Sequence, residues 1–179
     1  MTSLHGTRCT VRRWRADDAD ALVRHANNLK VARQLRDRFP HPYLRANAIG
    51  FLKSAMAADD PSNLAIEVNG EAVGAIGYVP GVDVERYSAE IGYWLGEAYW
   101  GRGIVTEALE LVTEHLFSAG NLLRVFALPF ADNVGSRRVI EKAGYAQEGT
   151  LRSSSVKYGA PRDQALYAKV STRWRGVIE

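Results

Sequence analysis

The sequence predicts an α/β fold in which helices flank a mixed sheet, and two observations carry that expectation. A strong hairpin signal, Asn69-Gly70, joins strand-like residues 63–68 to strand-like residues 71–79. Farther on, single strands alternate with amphipathic helices, but the chain as a whole is not a regular strand–helix repeat. No linker, repeat or low-complexity tract divides the 179 residues, so the expectation is one domain spanning 1–179.

Taken in order, Thr7 to Trp14 alternates through Cys9 and Val11 and reads as an opening strand. Ala16-Asp17-Asp18 starts a helix with Leu22, Val23 and Ala26 on one face. Helical pattern continues over Leu29 to Leu35 and Tyr43 to Met56, interrupted by Pro40 and Pro42. The hairpin follows, with Gly74 and Gly77 in its second strand pointing to close packing or irregular pairing. Pro80-Gly81 ends it, and Ser88 to Leu95 is the next strand. From Gly103 the residues Ile104, Ala108, Leu109, Val112 and Leu116 recur at helical spacing, with Gly120 as C-terminal cap. Leu122 to Leu128 is a strand stopped by Pro129. Asp132 or Asn133 caps a helix that carries Val139, Ile140 and Ala143 inward and ends at Gly144. Strands over Tyr145 to Lys157 and Gln164 to Val170 then flank a turn at Gly159-Ala160-Pro161.

Composition excludes several classes of function. A hydrophobic fraction of 46% and a charged fraction of 24% are those of a soluble globular protein. No apolar run is long enough to cross a bilayer, and no apolar segment follows Met1, so a cytoplasmic protein without membrane partners is expected. Cys9 is the single cysteine and the four histidines are scattered, which argues against a disulfide framework or a metal site. The net charge of +3 comes from arginines that mostly alternate with acids, so a nucleic-acid surface is not expected. A polyanionic small ligand remains compatible with that charge.

The chemistry is concentrated in Trp94-Leu95-Gly96-Glu97-Ala98-Tyr99-Trp100-Gly101-Arg102-Gly103-Ile104-Val105-Thr106. A strand leads through a short loop to alternate glycines, and a helix begins at once. Glycine permits positive φ and close approach of a ligand, and successive backbone N–H groups in such a turn converge. The helix N-terminus adds unpaired donors and partial positive charge, so the stretch is a seat for phosphate oxygens, with Arg102 adding a full charge. The Walker pattern lacks its Gly-Lys-Ser/Thr ending here. The dinucleotide fingerprint lacks its third glycine, where Thr106 stands, and its later acid. An ordinary glycine loop leading into a helix is the bland alternative.

Tyr99 to Ala108, Tyr-Trp-Gly-Arg-Gly-Ile-Val-Thr-Glu-Ala, resembles the pyrophosphate-binding signature of the GNAT superfamily of N-acetyltransferases. Asn133 to Tyr145, with its Asn-x-x-Ser start and Glu-Lys-x-Gly-aromatic end, is similar to that superfamily's next helix. Ala89 to Leu95, Glu148-Gly149 and Arg162-Asp163 extend the likeness over roughly the last two thirds of the chain, nearest in pattern to the RimJ/RimL-like ribosomal-protein N-terminal acetyltransferases. The resemblance implies a mostly antiparallel sheet whose two central parallel strands, Ser88–Leu95 and Leu122–Leu128, splay apart. It implies acetyl-CoA as cosubstrate, with pantetheine along Trp94 and Leu95 and the pyrophosphate on Trp100, Gly101, Arg102, Gly103, Ile104, Val105 and Thr106. Asn133 and Ser136 would line the thiol end. Trp100 stands where the family often has Gln or Arg, and Val105 where a small residue is usual, which would crowd the turn.

Acetyl transfer needs a neutral amine, a polarised carbonyl and a proton for the thiolate. Glu90 is the first candidate base, read equally as an exposed strand carboxylate; Glu148 is second, with an ion-pair role as its alternative. The subgroup's further strand carboxylate falls on Ser153-Ser154-Ser155 and is missing here. Ser136 is the candidate proton donor, or else a capping serine, and amides near Tyr93 to Leu95 form an oxyanion hole. Tyr145, Phe39 and Tyr43 read as core, and Cys9 as a buried strand residue. The expected acceptor is a protein N-terminal α-amine, with a small antibiotic or polyamine-like amine as runner-up. A non-catalytic acyl-CoA-binding module is the rival class, and a homodimer is allowed for.

Overall fold

The computed structural model describes residues 3–57, 62–119 and 121–176. Its strands are β1 (Leu4–His5), β2 (Thr10–Arg12), β3 (Asn63–Val68), β4 (Glu71–Pro80), β5 (Ser88–Leu95), β6 (Arg124–Ala127), β7 (Ala146–Lys157) and β8 (Ala160–Val170). Its helices are α1 (Ala19–Ala26), α2 (Leu29–Ala32), α3 (Arg45–Ala57), α4 (Ile104–Ser118) and α5 (Val134–Lys142). The strands form one sheet in the order β1-β2-β3-β4-β5-β6-β8-β7, antiparallel throughout except for the β5–β6 pair.

Helices cover both faces. Val11, Ile66, Val73, Ile91 and Leu95 meet Ile104, Ala108, Leu109 and Val112 of α4 and Ile140 of α5. On the other face Ala65, Ala72 and Ala75 receive Leu22 and Ala26 of α1 and Leu52 of α3. Small residues on this face let the helices approach the sheet closely, while the larger aliphatic side chains supply most of the burial, about 1.5–3 kcal/mol each. A Cβ on Gly74 would run into the Trp94 carbonyl, and β4 carries a bulge at the adjacent Val73, opposite Ile66/Glu67, so Gly74 marks both close approach and irregular pairing.

The feature that positions the site is the divergence of β5 from β6. Their parallel ladder covers only Ser88–Glu90 against Arg124–Phe126. Beyond it β5 keeps pairing with β4 as far as Leu95, while β6 follows β8 and the chain is turned away at Pro129. Among the described residues the β6-facing edge of Ile91 to Leu95 therefore pairs with no strand, and a wedge opens between β5 and α5.

Several boundaries differ from expectation. The opening strand is a pair of short strands, β1 and β2, because the backbone of Thr7 to Cys9 hydrogen-bonds Glu107 of α4 and not a neighbouring strand. The helical pattern at Leu29 stops at Ala32 and gives way to turns, leaving residues 33–39 as a strap across the sheet. The sixth strand is shorter than Leu122–Leu128. The final turn lies at Tyr158-Gly159, whose φ values are 53° and 78°, so Ala160 and Pro161 begin β8. Gly120, expected to cap α4, lies outside the described residues.

Candidate active site

At the end of β5 the chain folds into the predicted glycine turn. Gly101 and Gly103 both have φ of 75°, in the left-handed region, and Gly103 is the N-cap of α4. No side chain caps this helix, so its first N–H groups stay available. The Trp100 indole N–H donates to the Leu95 carbonyl at 2.8 Å and ties the turn back to β5. Ile104 and Val105 bury their side chains in the core and leave their amides at the turn; the crowding expected of Val105 is therefore absent.

The turn forms the floor of a groove of about 990 Å³. Trp94, Leu95, Trp100, Gly101, Arg102, Gly103, Ile104, Val105, Thr106, Asn133 and Ser136 all line it, so one cleft gathers every residue assigned to the cofactor. The Trp94 ring packs edge-on against Phe39 on the far face of the sheet, 5.6 Å between centroids, so Trp94 presents mainly backbone to the groove. The Arg102 guanidinium lies 5.3 Å from the Tyr99 ring centre.

Sequence reasoning missed five basic residues here, Arg8, Lys30, Arg33, Arg138 and Lys142. Arg138 and Lys142 are one helical turn apart on α5, a pairing that spacing alone could have flagged. Arg8 comes from the opposite end of the chain. It is delivered by Glu107, which accepts from the Thr7 hydroxyl at 2.7 Å and from the amides of Thr7, Arg8 and Cys9 at 2.7–3.0 Å. Burial would raise the Glu107 pKa, but these bonds outweigh it and hold the carboxyl at about 2. The neighbouring Cys9 thiol is pushed up to about 12 by burial and by Glu107, which fits an inert core residue.

Asn133 is the N-cap of α5 and accepts the Ser136 amide at 3.1 Å. Capping therefore falls to Asn133, and the Ser136 hydroxyl is left to meet the Tyr93 hydroxyl at 2.8 Å. Tyr93 also donates to the Ser136 carbonyl at 3.2 Å. Burial pushes the Tyr93 phenol well above its ordinary value, more than the Ser136 hydrogen bond pulls it down. The sequence assigns Tyr93 a role only through its amide. Strand alternation is the signal that places it, because Ile91, Tyr93 and Leu95 share the face that α5 covers.

Glu90 is three residues from Tyr93 and so faces the opposite side of the strand, toward the strap. There it pairs with Arg36 and lines a second cavity of about 370 Å³. Arg36 and Asp37 of the strap, Leu128 to Phe130, and Ser154 to Lys157 of β7 complete its walls. Tyr93 and Ser136 border both cavities, so groove and second cavity meet at the hydroxyl pair. Arg152 to Ser154 bulge out of β7 between the paired residues Leu151 and Ser155, with Ser153 at φ of 48°. Glu148 is elsewhere: Arg124 donates to it at 2.7 Å on the edge of the sheet and lowers its pKa, so the ion-pair reading of Glu148 holds. Tyr145 is a core residue whose hydroxyl meets Thr113 at 2.6 Å. Among the described residues no cluster of His, Cys, Asp and Glu is placed to hold a metal, and no helix is long and apolar enough to cross a membrane.

Three comparisons bear on this site. The family model for the acetyltransferase (GNAT) domain matches residues 8–146. The uncharacterised N-acetyltransferase p20 of Bacillus licheniformis is 24% identical over 179 residues, covering 98% of this chain and 100% of that protein. The ribosomal-protein-serine acetyltransferase of Escherichia coli is 36% identical over 83 residues; this alignment spans 46% of each chain, about half the relative's length. Among solved structures, Mycobacterium smegmatis RimJ in complex with CoA-disulfide superposes with a TM-score of 0.82 at 26% identity, covering 94% of this chain and 87% of that one.

Proposed function

The chain belongs to the GNAT acetyltransferase family, and from that premise we propose that it moves an acetyl group from acetyl-CoA to a primary amine by direct attack in a ternary complex. One observation carries the reading. A phosphate-seating groove and a smaller cavity meet at the Tyr93–Ser136 hydroxyl pair, with a carboxylate three residues away on the opposite face of the same strand.

The groove fits coenzyme A on its own geometry. Amides at Arg102 to Thr106, the left-handed glycines and the basic groups of Arg8, Arg138 and Lys142 suit a chain of phosphates. The unpaired edge of Ile91 to Leu95 offers main-chain partners to the amides of a pantetheine arm. Acetyl-CoA supplies a thioester, whose acyl carbon accepts the amine and whose sulfur leaves as the thiol.

The protein's own groups supply the proton transfers. An alkyl ammonium has a pKa near 10 and an α-ammonium about 8, so the acceptor reaches the site largely protonated at neutral pH. Glu90 takes that proton, directly or through water, once Arg36 moves aside. Tyr93 stays protonated because burial raises its pKa, and with Ser136 behind it the phenol delivers a proton to the departing sulfur. Amides near Tyr93 to Leu95 face the developing oxyanion. The E. coli relative's name, a ribosomal-protein-serine acetyltransferase, favours a protein acceptor, and we take its N-terminal α-amine as the group acetylated.

Thiol release from acetyl-CoA with a panel of primary amines tests the function. The expected result is acceptor-dependent turnover, lowered about 10²-fold in kcat by Tyr93→Phe or Ser136→Ala with little change in KM for acetyl-CoA. Coenzyme A binding without release to any amine would instead identify a non-catalytic acyl-CoA-binding module.

A further inference from the structure

The walls of the acceptor cavity carry a charge pattern that its proposed role leaves unexplained. Lys157, at the end of β7, has a side chain only 4% exposed, and its ammonium donates to Asp37 at 2.7 Å. Burying an ammonium is costly unless it is paired, yet the partner chosen here is a surface carboxylate, 72% exposed. Across the cavity Glu90 is paired with Arg36, whose guanidinium is itself largely exposed. Arg36 and Asp37 are adjacent in sequence. One strap thus inserts a cation against Glu90 and an anion against Lys157, both from side chains that water already reaches.

A substrate amine must displace Arg36 to reach Glu90. If it displaced the strap alone, Asp37 would leave with Arg36 and the buried Lys157 ammonium would lose the one carboxylate it bonds among the described residues. An acceptor that restores both pairs avoids that loss. On the reading of this cavity as the acceptor pocket, we propose that the acceptor carries an anionic group a few bonds from its amine, and that Arg36 and Asp37 hold the places of its two charges until it binds. Two sources share this chemistry: a free amino acid, with its α-carboxylate, and a polypeptide N-terminus with an acidic residue at its first or second position. A cavity of about 370 Å³ lies near the lower end of the roughly 300–1,000 Å³ usual for ligand pockets, which suits either. The strap's other anchor is Arg162, which donates to the Arg33 carbonyl at 3.0 Å and to the Gln34 side chain at 3.2 Å. That anchor is independent of the two charge pairs, so they can exchange while the strap stays attached.

The test uses acceptors matched in size and differing in charge: C-terminally amidated peptides with Asp or Asn at the second position and Glu or Gln at the first, and free amino acids beside their amides. Each is assayed for thiol release from acetyl-CoA and titrated calorimetrically into protein saturated with CoA. The anionic member of at least one pair should be favoured roughly tenfold or more, the scale of one hydrogen bond to a charged group. The arm that shows the preference names the source. Lys157→Met should abolish the preference while neutral acceptors still bind. Should that variant fail to fold, Asp37→Asn, a surface change, should tighten binding of the anionic acceptor several-fold by removing its competitor. Equal affinity for both members of every pair, or a preference untouched by Lys157→Met or Asp37→Asn, would overturn the proposal. Charge-selective binding without thiol release would leave it standing and count against catalysis instead.

Discussion

The groove proposed for coenzyme A and the cavity proposed for the acceptor share a strand, yet they are assembled in opposite ways. The groove is nearly local: β5, the glycine turn, and the first turns of α4 and α5 supply most of its surface. Its binding groups are backbone amides, whose direction is set by φ at Gly101 and Gly103. The cavity draws on six separated stretches, and the Arg36–Glu90 and Lys157–Asp37 contacts that close it span 54 and 120 residues of sequence. A groove made of backbone tolerates change in its side chains but not in its turn. The cavity, made of side-chain charges, tolerates changes of backbone and responds to each substitution of charge.

The largest expected effect follows from breaking the backbone half. Gly103→Val forces a β-branched residue into a left-handed conformation and sets its Cβ about 3.3 Å from the Arg8 side chain. Strain of about 1–2 kcal/mol, together with one or more lost charge-assisted bonds, should weaken coenzyme A binding on the order of 10³-fold by isothermal titration. An unchanged dissociation constant would place the phosphates elsewhere.

A smaller effect is expected on the charged half. Glu90→Gln keeps shape and removes basicity, so kcat/KM for the amine at neutral pH should fall on the order of 10²-fold while coenzyme A binding stays as it was. Raising the pH should restore part of the rate, since more amine is already neutral. Full activity across the pH range would show that the amine loses its proton to solvent.

The smallest effect sharpens the comparison, because Glu107 is a side chain in service of the backbone half. Its folded pKa of about 2 lies below the ordinary carboxylate value of about 4.3. Its contribution to stability is therefore complete above that ordinary value and is lost as pH falls toward 2. Glu107→Gln should lower the urea midpoint at neutral pH and flatten its decline between about pH 5 and pH 2. The same slope in mutant and parent would mean that the loop from Thr7 to Cys9 is held by other contacts.

What could be read from sequence divides along the same line. The β3–β4 hairpin was legible because Asn69 and Gly70 each take a positive φ, 51° and 84°, that few other residues adopt so readily. β5, the glycine turn and the start of α5 were legible for the same local reasons. Trp94 to Thr106 converge because they are nearly continuous in the chain, and Asn133 and Ser136 join them after one helix and one strand. The acceptor side was not legible. Glu90 was placed on the right strand, but nothing near it in sequence names Arg36 as its partner. The serine run looked like the loss of a functional carboxylate, whereas the structure makes it one wall of the cavity that Lys157 closes. Lys157 itself reads as one more solvated lysine, since a fold must be complete before burial distinguishes it. Glu148 was legible only as a choice of two roles, and the Arg124 pair, made from a strand two places away in the sheet, decides for the ion pair.

The unpaired edge of β5 has a consequence for self-association. A row of free main-chain donors and acceptors is a template for pairing with another chain, and proteins that leave such edges open tend to aggregate through them. Here the edge is interior and short. The Trp100 indole takes up the Leu95 carbonyl at one end, the β6 ladder closes the other, and α5 stands over the gap between them. A slender arm of amides can thread that gap, but a full strand bearing side chains on both faces would collide with the helix. The wedge proposed to admit the cofactor therefore bars a second copy of the chain from adding a strand there, and leaves only β1 and β7 as outer edges of the sheet.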